Sequence, residues 1–188
     1  MFVDYLTVML VNMIAGLVIM ALFVYRYMDG DRKKVAPGLL MSGALALVTG
    51  LHMSLTWPLP GSYNIAFGEM AVLFGILFLF LGIASLADWE LLTLAIYAVF
   101  AGVASIVIGI RIFDLKMTSE PLISAGGFVL TGLAAVISLP VYYLRRFRLV
   151  RILASLALLG GAAIWAAIGY LAYWAHLANF AKWAPDAM

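Results

Sequence analysis

The sequence HMSLTWPLPGSYNIAFGE, residues 52–69, separates two long apolar runs and decides how the chain folds back on itself. Pro58, Pro60 and Gly61 favour a short loop, because proline removes a backbone donor and glycine tolerates turn conformations. The apolar runs on either side are each about 20 residues long, which a helix needs to cross about 30 Å of hydrocarbon. The stretch therefore predicts a hairpin of two membrane-spanning helices.

The composition of the whole chain is that of a membrane protein. Of its 188 residues 66% are hydrophobic and 11% are charged, whereas about 25% of the residues of a soluble domain are charged. Six apolar runs are long enough to span a bilayer: about 3–27, 36–57, 65–87, 90–112, 121–144 and 149–176. We therefore expect an all-α integral membrane protein, one transmembrane domain over 1–188, built as a bundle of six transmembrane helices. Pro140 predicts a bend near the end of the fifth span or a break of the helix there.

The basic residues predict the orientation of the spans. Eight lie on one side of the predicted bundle: Arg26, Arg32, Lys33, Lys34, Arg145, Arg146, Arg148 and Arg151. Only Arg111, Lys116 and Lys182 lie on the other side. Since cytoplasmic loops carry the excess of Lys and Arg, we expect the N-terminus and C-terminus both to be extracytoplasmic, in a multi-pass protein of the cell membrane. These residues lie in short loops, so we expect no binding of nucleic acid.

The sequence contains none of the usual signatures of an enzyme. There is no cysteine, which excludes disulfides, iron–sulfur clusters and thiolate catalysis. It also lacks the P-loop, GxGxxG, HExxH and GxSxG motifs. Ser62 and His52 do not suggest a hydrolase, because Ser62 lies in a proline-rich loop without a nucleophile elbow. We therefore do not predict a catalytic residue.

His52 and Glu69 are the main candidates for a functional site. At 1.5 Å per residue, His52 lies about 6 Å below the outer membrane boundary and Glu69 about 9 Å below it. Ionisable groups inside a membrane are costly and often functional. An imidazole beside a carboxylate could act as a proton relay, half of a metal site or an ion pair. The alternative is a hydrogen-bonded pair that only locks the hairpin.

Two cofactors are compatible with the histidines. Asp4, His52, Glu69 and His176 lie toward the outer ends of four spans, and two histidines with carboxylates suit zinc or non-haem iron. No HxxxH or ExxH spacing supports this metal set. Haem b would need two axial ligands, and His52 and His176 differ in predicted depth by about 13 Å. A metal ion is therefore the better supported of the two, and the cofactor stays unknown.

Several uncharged side chains complete the candidate site. Trp57, Tyr63 and Trp165 belong to a group of aromatics near the outer helix ends, where such residues ordinarily anchor a protein at the interface. Some of them could instead line a pocket for a ring such as a quinone. Asn12, midway along the first span, needs a polar partner inside the bundle. The candidate ligand-binding residues are His52, Glu69, Trp57, Tyr63, Asn64 and Asn12.

Small residues recur at helical spacing in three spans. They are Ala101, Ser105 and Gly109 in the fourth span, Gly127 and Thr131 in the fifth, and Ala157 and Gly161 in the sixth. Small residues let helix backbones approach closely in lipid. The pattern predicts close packing, either within one bundle or between copies of the chain.

The segment WPLPGSYNIAFGE resembles that of a family of small prokaryotic membrane proteins classed only as a domain of unknown function. The resemblance covers essentially the whole chain and rests on Trp57, Pro60, Gly61, Tyr63, Asn64, Phe67, Gly68 and Glu69, together with the six-span profile. It implies that residues 57–69 are the signature of the family. It implies no activity, substrate or cofactor.

The preferred function is binding of a small ligand, metal ion or proton at a polar site in the outer half of the membrane, for transport or sensing. One alternative is a membrane redox protein that binds haem or quinone. Another is a structural accessory subunit of a larger membrane complex. The expected partners are the lipid bilayer and either further copies of the chain or other subunits of a membrane complex.

Overall fold

Six long apolar helices form the protein, as predicted. The computed structural model describes residues 5–182, and that range contains no β-strand. The six spans cover Leu6–Tyr27, Ala36–Thr56, Asn64–Ala87, Leu92–Asp114, Pro121–Leu144 and Arg148–Asn179. All-α membrane architecture is therefore confirmed. Which end of the bundle faces the cytoplasm stays a prediction from the basic residues.

The spans are built from seven α-helices and two π-helical turns. Their bounds are α1 Leu6–Leu22, α2 Ala36–Thr56, α3 Met70–Ala87, α4 Leu92–Asp114, α5 Pro121–Val136, α6 Ser138–Leu144 and α7 Arg148–Asn179. The π-helical Phe23–Tyr27 continues α1, the π-helical Asn64–Glu69 precedes α3, and a 3-10 turn covers Arg32–Lys34. The fifth span divides between α5 and α6. Pro140 explains this division, because it has no N–H to bond the carbonyl of Val136.

The six spans close into a ring. Each span packs against the next one in the sequence, and the sixth packs against the first. The long apolar side chains that point inward, among them Leu17, Phe74 and Phe78, are almost fully buried. Many of those that point outward are exposed to the lipid side, as in Met41, Phe100 and Trp174. The ring therefore has an interior along its axis, and both ends of that interior lie at loops.

Glycines spaced seven residues apart hold the second and third spans together. A Cβ on Gly43 would lie 2.3 Å from the backbone N of Leu79, and one on Gly75 would lie 2.6 Å from the backbone N of Leu47. Gly50 makes an equally close approach to the third span. The backbones of the hairpin are thus in direct contact, which only glycine permits.

The fourth and fifth spans pack in the same way. A Cβ on Gly102 would lie 2.5 Å from the carbonyl oxygen of Gly132. The buried Ser105 hydroxyl donates a hydrogen bond of 2.8 Å to the carbonyl of Phe128. The small residues of these spans therefore serve packing within the bundle, which is one of the two alternatives that their spacing left open.

Candidate functional site

The side chain of Asn64 holds the loop of the hairpin between the second and third spans, at the end of the bundle that the basic residues predict to be outer. This residue is fully buried, and its Oδ1 accepts a hydrogen bond of 3.0 Å from the N–H of Leu59. Its Nδ2 donates to the carbonyls of Leu59 and Gly61. The three side-chain hydrogen bonds of Asn64 within residues 5–182 thus all go to the loop itself. Asn64 acts as the internal brace of residues 58–64.

Trp57 and Tyr63 stand on either side of this loop. Trp57 ends α2 in a left-handed conformation with φ of 50°, and half of its surface is exposed. The Tyr63 hydroxyl donates to the carbonyl of Met117, in the loop between the fourth and fifth spans. Tyr63 therefore ties this loop to the one between the fourth and fifth spans, whereas Trp57 stays half exposed at the end of α2.

His52 and Glu69 are not paired with each other. The Tyr5 hydroxyl lies 2.9 Å from Nδ1 of His52, and the two rings meet edge to face with centroids 5.3 Å apart. Glu69 is exposed, and the ion pairs of residues 5–182 do not include one between it and His52. The imidazole thus links the outer ends of the first and second spans, and the hairpin is held by its glycines.

The proposed metal ligands do not converge in the described structure. Within residues 5–182, no three side chains of His, Cys, Asp or Glu come together in a group that could hold a metal ion. His52, Glu69 and His176 therefore form no such set there. Asp4 lies outside the described residues. The metal and haem hypotheses stay predictions.

Asn12 has the polar partner that its position requires. Its Nδ2 donates a hydrogen bond of 2.8 Å to the carbonyl of Ser42, on the second span. Asn12 also lines a small cavity on the axis of the ring. It is the one predicted ligand-binding residue that borders either of the two axial cavities described next.

Two cavities follow one another along the axis of the ring. The inner cavity, toward the basic end, has a volume of about 100 Å³ and is lined by the first, third, fourth, fifth and sixth spans. The outer cavity has a volume of about 40 Å³ and is lined by all spans except the fourth. Phe74 and Phe78 line both cavities. These two rings therefore separate the cavities.

The two π-helical turns lie at opposite ends of this interior. Phe23, in the first span, lines the inner cavity, and Phe67, in the third span, lines the outer one. A π-helical turn inserts an extra residue into a helix and often occurs at functional sites. Here each one delivers a phenylalanine to the axis. The sequence predictions placed neither phenylalanine in a site.

A chain of aromatic rings leads from the outer loop to the axis. Centroids lie 6.3 Å apart for Tyr63 and Phe67, 5.3 Å for Phe67 and Phe128, and 5.0 Å for Phe128 and Trp165. Trp165 is only 3% exposed, so it lines the outer cavity and does not anchor the protein at the interface. Its Nε1 donates a hydrogen bond of 2.9 Å to the Thr131 hydroxyl.

Three hydroxyl groups of the fifth span line the inner cavity. They belong to Thr131, Ser138 and Tyr142, which the helical repeat places along one face. Ser138 donates a hydrogen bond of 2.9 Å to the carbonyl of Ala95. Among the described contacts, the Ser138 oxygen keeps its lone pairs for a further partner, and the Thr131 oxygen, which already accepts from Trp165, keeps one. None of the residues that line either cavity in the described chain is charged.

Polar contacts of Tyr142 close the inner end of the axis. Its hydroxyl donates to Oε1 of Glu90 over 2.8 Å, and the Arg145 guanidinium lies 4.6 Å from the centre of its ring. Arg145 in turn pairs with Asp29 over 2.8 Å. The hydrogen bonds from Tyr142 and from the N–H of Leu91 lower the pKa of Glu90. Glu90 is therefore ionised at neutral pH and holds the tyrosine in place.

Comparison with known proteins places this arrangement in context. The family model named "Protein of unknown function (DUF981)" matches residues 1–179. The chain is similar in structure to the Helicobacter pylori urea channel in its closed state, with a TM-score of 0.71 and 17% sequence identity. The match covers 91% of this chain and 98% of the channel. No curated protein matches the chain.

Proposed function

This chain belongs to the DUF981 family of proteins of unknown function, and we propose that it conducts a small uncharged solute along the axis of its six-helix ring. The observation that carries the proposal is the pair of axial cavities, which share Phe74 and Phe78 in their linings. Because the cavities lie in line between the two loop-bearing ends, a movement of these rings would join them. We propose the cell membrane as the site of this function.

The lining favours a solute without charge. A charged group at the centre of a membrane costs at least about 2.5–3.5 kcal/mol. In residues 5–182 neither cavity has a charged side chain that would offset this cost. A solute with hydrogen-bonding groups suits the interior, because Asn12 borders the outer cavity, and Thr131, Ser138 and Tyr142 border the inner one.

The size of the interior limits the solute to a few heavy atoms. A cavity of about 40 Å³ exceeds the roughly 10–15 Å³ that one water molecule needs. It is small for a quinone ring or a haem. A protein of the same fold is named a urea channel, and a small neutral amide has the size and the hydrogen-bonding groups that these features favour.

His52 and Glu69 also have a place in the proposed path, at its entrance next to the outer cavity. We propose that His52 and Glu69, which lie exposed on the second and third spans, contact the uncharged solute before it enters the axis, or bind a proton there. Association with further copies of the chain or with another membrane protein stays a prediction. So do the redox and accessory-subunit alternatives.

Proteoliposomes test the proposal directly. Purified protein is reconstituted, and light scattering after rapid mixing reports the entry of urea, acetamide or glycerol. We expect at least one of these solutes to enter faster than in protein-free liposomes. Equal rates for all three with and without the protein would refute conduction.

Truncation of Phe78 tests whether the solute follows the axis, and truncation of Phe80 is the control. Phe78→Ala removes the ring that lines both cavities, and Phe80→Ala makes the same truncation on the lipid-facing side of the same helix, where 42% of Phe80 is exposed. We expect Phe78→Ala to raise the rate and Phe80→Ala to leave it unchanged. Phe78→Leu serves if the alanine variant does not fold. Equal rates in the Phe78 and Phe80 variants would refute an axial path.

A further inference from the structure

Several arginines at the basic end of the bundle form no ion pair within residues 5–182, and two of them, Arg148 and Arg151, lie in the first turn of α7. Ion pairs in residues 5–182 engage Arg32 and Lys33 with Asp88, Lys34 with Asp31, and Arg145 with Asp29. None of the ion pairs in that range involves Arg148 or Arg151. Asp29, Asp31 and Asp88 thus pair with other cations, and Glu90 accepts hydrogen bonds from Tyr142 and Leu91, so the two positive charges at the start of α7 have no carboxylate partner among the described residues.

Arg151 also has an unsatisfied donor. Its Nε is buried and has no hydrogen-bond acceptor among the described residues, the single such side-chain atom in that part of the chain. A buried polar group without a partner costs roughly 1–3 kcal/mol, and more when it is charged. Such a group in a native structure calls for an acceptor that the chain itself does not supply.

Both arginines lie at the seam between the first and sixth spans. Ser155, one turn beyond Arg151, is buried and donates a hydrogen bond of 3.0 Å to the carbonyl of Ala21. Residues 148, 151 and 155 are separated by three and four positions, so they share one face of α7. That face therefore meets the first span, and the arginines continue it toward the basic end.

The start of α7 adds to the excess of positive charge. No side chain caps this helix, whose N-cap residue is Phe147. Cations at a helix N-terminus are disfavoured by about 0.3–1 kcal/mol each, whereas anions are favoured there by a similar amount. An anion at this point would offset both charges and supply the acceptor that Nε of Arg151 needs.

We propose that Arg148 and Arg151 bind the phosphate group of an anionic phospholipid at this seam. The neighbouring residues favour a lipid over a free anion, because Val18, Leu22 and Tyr25 on the first span, which flank the Ala21 that this face of α7 meets, are each 44% exposed. They provide a lipid-facing track on which acyl chains can lie beside the bound headgroup. Basic pockets between spans at the cytoplasmic side are known to bind such headgroups. The site does not depend on the proposed conduction.

Native mass spectrometry and thermal unfolding of the detergent-purified full chain test the site. Phosphatidylglycerol is added, with phosphatidylcholine as the neutral lipid and inorganic phosphate as the free anion. We expect retained phosphatidylglycerol and a raised Tm for the wild type. Arg151→Gln should lose both effects. Lys33→Gln removes the same charge at the same end, where Lys33 pairs with Asp88, and should keep them.

Two results would overturn the proposal. In the first, Arg151→Gln and Lys33→Gln retain phosphatidylglycerol equally, which would mean that only net charge matters. In the second, inorganic phosphate alone raises Tm as much as phosphatidylglycerol, which would mean that the lipid is not required. Arg148→Gln, at an exposed position, takes the place of Arg151→Gln if that variant does not fold.

Discussion

Replacement of Gly43 by alanine should separate the second and third spans. The added Cβ would lie 2.3 Å from the backbone N of Leu79, 2.7 Å from its Cα and 2.8 Å from the carbonyl oxygen of Gly75. Ordinary van der Waals contact begins at 3.4 Å. The helices must therefore move apart locally by about 1 Å, the difference between 3.4 and 2.3 Å. No side-chain rotation can relieve the overlap, because the atoms that it meets belong to the backbone.

The cost follows from the packing that this movement breaks. Overpacking of a well-packed interior costs typically about 1–3 kcal/mol. The gain in intrinsic helix propensity from glycine to alanine is up to about 1 kcal/mol and opposes it. We therefore expect Gly43→Ala to lower the free energy of unfolding by about 1–2 kcal/mol. Gly160→Ala is the matched control, because the nearest atom to its added Cβ lies 3.9 Å away.

Unfolding by SDS titration in mixed micelles, followed by circular dichroism, measures the difference. We expect the transition of Gly43→Ala to move to lower SDS and that of Gly160→Ala to stay or move to higher SDS. If Gly43→Ala is as stable as Gly160→Ala, the direct backbone contact of the hairpin is wrong. Gly75→Ala repeats the test from the other helix, where its Cβ would lie 2.6 Å from the backbone N of Leu47.

Two further experiments test contacts of Asn64 and of Trp165. Asn64→Ala should cost about 1–3 kcal/mol, because it leaves the N–H and carbonyl of Leu59 without their side-chain partner. Ser62→Ala, at an exposed position of the same loop, is its control. An equal Tm for the two variants would contradict the claim that the side chain of Asn64 stabilises residues 58–64. Trp165→Phe and Thr131→Val, alone and combined, form a double-mutant cycle on their hydrogen bond. We expect a coupling free energy of about 0.5–1.5 kcal/mol from SDS unfolding, and zero would exclude a stabilising bond.

The spans could be predicted because the bilayer sets a length that hydropathy reveals directly. The predicted second span, 36–57, differs by one residue from the observed Ala36–Thr56. The loop residues also determined the turn, since the left-handed Trp57 and Gly61 lie where the prolines and glycine predicted it. The bend at Pro140 followed from its missing N–H in the same way. The span lengths, the turn and the interruption at Pro140 depend only on residues that are close together in the sequence.

The partners of His52 and Glu69 could not be predicted in this way. The rise per residue places a side chain at a depth, but it does not give the direction in which the side chain leaves the helix axis. His52 and Glu69 were placed at similar depths, yet the hydrogen-bonding partner of His52 is Tyr5, just before the first span.

The close contact of the second and third spans did have a usable signal in the sequence, since Gly43 and Gly50 are spaced by one heptad.

The axial cavities depend on residues that are far apart in the chain. Phe78 meets the first span where Gly16 leaves room, since a Cβ on Gly16 would lie 2.4 Å from its ring. Phe67, Phe128 and Trp165 come from three different spans. In the sequence, nothing distinguishes each of these aromatics from any other apolar residue of a membrane span. Only the closure of the ring turns them inward.

By itself, the sequence determined that six helices cross a membrane, where they turn and which end is basic. Those properties follow from local hydrophobicity, backbone restrictions and charge, which act within a few residues. The tertiary structure decided which side chains share the interior, because that depends on helix rotation and on backbone contacts between glycines of different spans. It thereby placed the uncharged axis and the unpaired Arg151, from which the two proposed roles follow.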